Sequence, residues 1–115
     1  MHLPPVHVAI IAFRGIRPLA AALGRPRQNV QEWARAEADG GRDGEFPNPI
    51  ILREVYRAAR ERGIELEPVD LFFGKDLTPE DVAKLRQSMP QHPWAWCRQL
   101  TAPAPTPSPA PARGR

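Results

Sequence analysis

At 115 residues, with 42% hydrophobic residues and a formal net charge of +3, the chain has room for one domain with a modest core and a tail, not for two full domains. Its single cysteine, Cys97, excludes an internal disulfide and cannot by itself supply a cysteine-based zinc site. There is no run of about 18 apolar residues, and the start MHLPPVHVAIIAF lacks a basic leader and a small-residue cleavage site, so a cytoplasmic protein with no membrane partner is expected.

Pro4 and Pro5 suit the first turn of a helix, and Val6, Ala9, Ile10 and Phe13 follow at i, i+3, i+4 and i+7. VHVAIIAF also fits a short buried strand on composition; Arg14-Gly15 ends the element either way. Pro18 then stands near the start of a second helix whose apolar side is Leu19, Ala20 and Leu23, stopped by Gly24. A third helix is predicted from near Pro26 to Ala36, with Val30, Trp33 and Ala34 facing inward and Arg27, Gln28, Gln31, Glu32 and Arg35 facing elsewhere.

ADGGRDGEFP is a Gly/Asp loop, and it lacks the ligand set of a calcium loop. Asn48 followed by Pro49 is an N-cap plus first-turn proline for a helix to about Arg62, with Ile51, Leu52, Val55, Tyr56 and Ala59 as its stripe and Gly63 as its left-handed stop. PVDLFFG reads as one helical turn that drops Val69, Leu71, Phe72 or Phe73 onto the core. TPEDVAKLRQS opens with a capping box, Thr78 with Asp81, and carries Val82, Leu85 and Met89 at helical spacing. Prolines interrupt QHPWAWCRQL, and TAPAPTPSPAPARGR cannot bury enough apolar surface to fold, so disorder is expected over 101–115.

Charge is segregated along this order. Residues 1–35 hold five arginines against Glu32, residues 36–97 hold eight basic and twelve acidic residues, and the remainder adds three arginines with no acid. Concentrating positive charge on one element is what nucleic-acid readers do, because phosphate neutralisation supplies most non-specific affinity. Two helices that cross steeply need a small residue at the crossing and favour a glycine in the turn; Ala20 and Gly24 stand in those roles. Leu19, Leu23, Val30 and Trp33 then hold the crossing, leaving the N-terminal half of the second helix to enter a major groove. There Arg27, Gln28 and Gln31 are the candidate base readers, arginine for guanine and glutamine for adenine, while Arg17, Arg25 and Arg35 are candidate phosphate contacts.

These residues, IIAFRGIRPLAAALGRPRQNVQEW (10–33), with Phe46-Pro47 and ARERGIELEPVDLF (59–72), resemble the lambda-repressor-like, Cro-type helix-turn-helix proteins, closest to the YdaS-type phage and plasmid regulators and the carph-isopro small proteins. The resemblance implies an all-α, compact domain of four to five helices over residues 4–73. It also implies binding of double-stranded operator DNA, often as a homodimer, and often control of the protein's own promoter in a prophage or mobile element. A further short helix would follow in an extension over 74–100, ahead of the tail. Arg25 stands where such motifs carry an apolar residue, and Pro26 replaces the capping serine or threonine.

No enzyme is expected: there is no Ser/His/Asp set, no Walker loop and no metal quartet. His92 and Cys97, five apart, are too few for a metal site, and neither a metal nor a cofactor is expected. Trp94 and Trp96 either face one side of an extended segment, ready for a partner, or fold back over the domain. The rival reading is a non-enzymatic protein-interaction module, antitoxin-like or a phage accessory protein, that binds a protein partner through its acidic middle or its C-terminal third.

Overall fold

The computed structural model describes residues 1–97; the predicted tail and residues 98–100 of the predicted extension lie outside the described residues. Six helices follow one another: α1 (Pro5–Ala12), α2 (Ile16–Leu23), α3 (Arg27–Ala34), α4 (Pro49–Glu61), α5 (Pro68–Phe73) and α6 (Pro79–Ser88). The described residues are all-α apart from a short antiparallel ribbon, β1 (His2–Leu3) against β2 (Lys75–Asp76). So short a ribbon leaves no alternation in the sequence to be read.

Local chemistry explains the helix starts. Pro5, Pro49, Pro68 and Pro79 open their helices, where a fixed φ helps and the missing N–H would have had no partner anyway. The Asn48 side chain accepts from the Ile51 amide at 3.0 Å, and Thr78 and Asp81 close the expected capping box. VHVAIIAF is helix, not strand. α2 begins two residues ahead of Pro18, and α3 stops at Ala34, two residues short of the predicted end.

α1 is the axis of the molecule, buried from Pro5 through Ile10. On one side Val6, Ala9, Ile10 and Phe13 meet Leu19, Val30, Trp33, Val55 and Leu71 in the larger core. On the other, Val8 meets Leu3, Leu77, Val82, Trp94 and Cys97 in a second cluster. Residues 74–97 therefore supply one of the two surfaces that cover α1. The Met1 amino group donates to the Leu77 carbonyl at 3.1 Å and the Leu77 amide returns a bond to the Met1 carbonyl at 2.7 Å, which fastens the N-terminus to the link between β2 and α6.

Trp94–Trp96 is a single 3₁₀ turn rather than an extended segment. The Trp94 indole is buried and donates to the Met89 carbonyl at 2.9 Å, closing the C-terminal end of α6. Trp96 packs half-buried against the larger core. Within α5 only Leu71 turns inward; Val69, Phe72 and Phe73 are 52%, 56% and 71% exposed. Successive helical side chains step by about 100°, so seating Leu71 carries its neighbours away from the core. Among the described residues no single helix is long and apolar enough to cross a membrane.

Because α1 is shared by both clusters, unfolding is expected to be a single cooperative transition. Trp94→Ala should lower its midpoint as a whole, by about 3–5 kcal/mol of stability, with far-ultraviolet dichroism and tryptophan fluorescence shifting together. A helical signal that keeps the wild-type midpoint would show that the second cluster is an independent appendage.

Candidate nucleic-acid interface

α2 and α3 are joined by Gly24, Arg25 and Pro26. Gly24 takes a left-handed conformation, φ 65° and ψ 32°, in which its own amide reaches the Ala21 carbonyl and the Arg25 amide reaches the Ala20 carbonyl. A Cβ at Gly24 would meet nothing within 4 Å, so the turn selects glycine through backbone conformation, not space. Leu19, Ala20, Val30, Trp33 and Ala34 are buried between the two helices and the core, and Leu23 is half-buried. α1 and α2 meet at a bend of 94°, with Arg14 in the left-handed region at φ 69°.

The predicted Gly/Asp loop has a structural task at the far end of α3. A helix leaves its last carbonyls without partners, and here each one is met: Glu32 by the Arg42 amide at 3.0 Å, Trp33 by Gly44 at 2.7 Å, and Arg35 by Asp43 at 2.8 Å. The remaining one, Ala34, accepts from His7 Nε2 at 2.9 Å. The Gly44 carbonyl in turn receives the Val6 amide, 2.7 Å away in the first turn of α1. Gly44 has φ 83°, and an added Cβ would collide with Pro4. The loop thus locks α3 to α1, with Phe46 packed edge-on against Trp33 at 5.9 Å between centroids.

At the other end of α3, Arg27 and Gln28 are exposed and Gln31 is half-exposed. Arg27 and Gln31, one turn apart, line an open cleft of about 820 Å³ together with Arg14 and Arg17; Ser88, Met89, Gln91 and His92 form the facing wall. The cleft has three arginines and no carboxylate among its lining residues. Arg17 and Arg27 make no ion pair among the described residues. Arg25 instead turns toward α4 and bonds Glu54 at 3.3 Å, a half-exposed pair worth no more than about 1 kcal/mol. Arg35, at the opposite end of α3, lies over the Trp96 ring at 5.4 Å. The structure therefore gathers Arg17, Arg27 and Gln31 at one site, leaves Gln28 exposed on the adjoining face, and sets Arg25 and Arg35 against intramolecular partners. Arg14 joins the site unforeseen, although an arginine directly before the Gly15 break was a visible signal.

At the inner edge of this cleft His92 meets His7, and both are buried, with His7 Nδ1 and His92 Nε2 2.9 Å apart. A carbonyl only accepts, so His7 Nε2 carries the proton that bonds Ala34 and Nδ1 offers a lone pair; His92 Nε2 must then be the donor between the rings. Burial lowers the pKa of both histidines, and that of His92, also repelled by any charge on His7, falls to about 3. Both rings are neutral at physiological pH.

Comparison with protein-family models, with curated proteins and with solved structures finds no match for the chain.

Since the folded state holds these imidazoles neutral while the unfolded chain protonates them near pH 6.5, their stabilisation is complete above that pH. For His92 it is lost as pH falls from there toward about 3, by roughly one kcal/mol per unit, and His7 adds to the loss in the same direction. Thermal unfolding in metal-free buffer should show this slope, and His92→Gln should flatten it; a midpoint that rises on acidification would contradict the neutral pair. In addition, Gly44→Ala should cost more than about 1 kcal/mol, read as a lower denaturant midpoint, whereas an unchanged midpoint would deny the loop its role in locking α3.

Proposed function

We propose that the protein is a non-enzymatic, sequence-specific DNA-binding regulator of the lambda-repressor-like, Cro type, in which α2 and α3 act as a helix-turn-helix unit. The observation that carries this reading is the cleft lined by Arg14, Arg17 and Arg27 without a single acid, next to a helix whose exposed N-terminal half offers Arg27, Gln28 and Gln31. Arginines around the mouth neutralise phosphates and align the helix. Arg27, Gln28 and Gln31 then meet base edges in the major groove, with donor and acceptor patterns suited to guanine and adenine. Arg25 is spent on Glu54 and serves the turn, so its part in phosphate contact is secondary to that of Arg14 and Arg17.

A second reading, a protein-interaction module, draws on α5. Val69, Phe72 and Phe73 are exposed beside a groove whose floor of Leu52, Tyr56 and Leu71 is flanked by Arg53, Arg57, Arg60 and Glu61, and apolar side chains exposed next to charged ones suit a protein partner or a homodimer. With Trp94 buried, α5 replaces the C-terminal tryptophans as the surface on which that reading rests.

The test is fluorescence anisotropy with the protein's own upstream promoter duplex and a scrambled duplex at several salt concentrations. The expected result is tighter binding to the native duplex near physiological salt. Arg27→Ala and Gln28→Ala should each cost roughly 1–3 kcal/mol on that duplex while helicity stays intact, and Arg17→Ala should weaken both duplexes alike and reduce the salt slope by about one. Equal binding to both duplexes, or no loss in either α3 variant, would sink the assignment. Under the second reading, Phe72→Ser and Phe73→Ser would abolish self-association or partner binding without touching DNA affinity.

A further inference from the structure

Three side chains with metal-binding donor atoms meet where the second cluster abuts α1. His7, His92 and Cys97 are all buried, and each brings one such atom to within 4.8 Å of the other two. His7 is oriented as metal-ligating imidazoles are: its Nε2–H is held by the Ala34 carbonyl at 2.9 Å, which aims the Nδ1 lone pair at the cluster. His92 Nδ1 is buried without a hydrogen-bond partner, so it can take up the ring's proton when Nε2 turns to an ion. We propose that His7 Nδ1, His92 Nε2 and Cys97 Sγ bind a zinc-class divalent ion, with solvent from the adjoining cleft as the fourth ligand.

Two imidazole nitrogens and one thiolate are a borderline-soft set of the kind Zn²⁺ prefers, and three protein ligands plus water complete its tetrahedron. The ion replaces the proton that the two rings share across 2.9 Å. Nitrogens held at about 2.0–2.1 Å from a tetrahedral ion stand a few tenths of an ångström farther apart than this, so the rings part slightly. The displaced proton moves from His92 Nε2 to the bare Nδ1, and the Cys97 thiol loses its proton to solvent, so one proton is released per ion bound. Burial pushes that thiol up to about 12 against the pull of Arg86, so affinity rises with pH. His92 also lines the cleft beside Arg27 and Gln31, which supplies the route of entry. A bound ion would fasten the 92–97 segment to α1 whether or not the cleft receives DNA.

The full-length chain, stripped with chelator, would be titrated with Co²⁺ and then Zn²⁺. The expected result is one ion per chain, a thiolate-to-cobalt charge-transfer band with tetrahedral ligand-field bands, displacement by Zn²⁺, and a higher Tm. Cys97→Ser should lose the charge-transfer band and bind on the order of tenfold or more weakly; His92→Gln should weaken binding similarly. If either variant fails to fold, the wild-type cobalt spectrum decides alone. Absence of the charge-transfer band, or a band that survives unchanged in folded Cys97→Ser, would overturn the proposal.

Discussion

The structure turns on one buried imidazole. His7 sits in a helix enclosed on every side, where an unpaired polar atom costs about 1–3 kcal/mol, so both of its nitrogens have to find partners. They do so in opposite directions. Nε2 takes the last helical carbonyl of α3, and Nδ1 takes the ring of His92 in the C-terminal segment. The side chain thereby joins the two halves of the molecule that cover α1, and its neutrality is a condition of both bonds.

From that constraint the placement of α3 follows. Its inward face is seated by Val30, Trp33 and Ala34 in the larger core, its C-terminal carbonyls are consumed by the 42–44 loop and His7, and its N-terminal end is set by the Gly24 turn. Nothing is left to hold Arg27 and Gln28 down. A helix seated by its inward face and tied at its C-terminal end, with polar side chains exposed at its N-terminal end, is the arrangement that base reading requires. The C-terminal segment matters to it as well, since Ser88, Met89, Gln91, His92 and Pro93 complete the lining of the arginine cleft.

What was legible in the sequence is what depends on neighbours along the chain. Pro5, Pro49, Pro68 and Pro79, the Asn48 cap, the Thr78–Asp81 box and the Gly24 stop act within one helical turn, and the helices begin and end close to where they indicate. The inward set Leu19, Ala20, Val30 and Trp33 was likewise legible from periodicity, and with it the exposure of Arg27 and Gln28. The rest depends on distant partners. His7 and His92 are 85 positions apart and Arg25 and Glu54 are 29 apart, and neither pairing leaves a local trace. One signal for His7 was present: a histidine within the otherwise apolar run VHVAIIAF has to be satisfied by something outside its own helix. For α5 the sequence leaves open which of Val69, Leu71, Phe72 and Phe73 turns inward, because a helix of six residues is too short for periodicity to choose, and it is Leu71 that does.

The central claim, that the exposed end of α3 and the arginines of its cleft meet DNA, is tested most directly by amide chemical-shift mapping of the isotope-labelled full chain against a short random-sequence duplex at low salt. The account predicts perturbations concentrated at residues 14–18 and 25–32, with smaller ones at 88–92 on the facing wall. Perturbations centred on α4 and α5, or none at all, would contradict it.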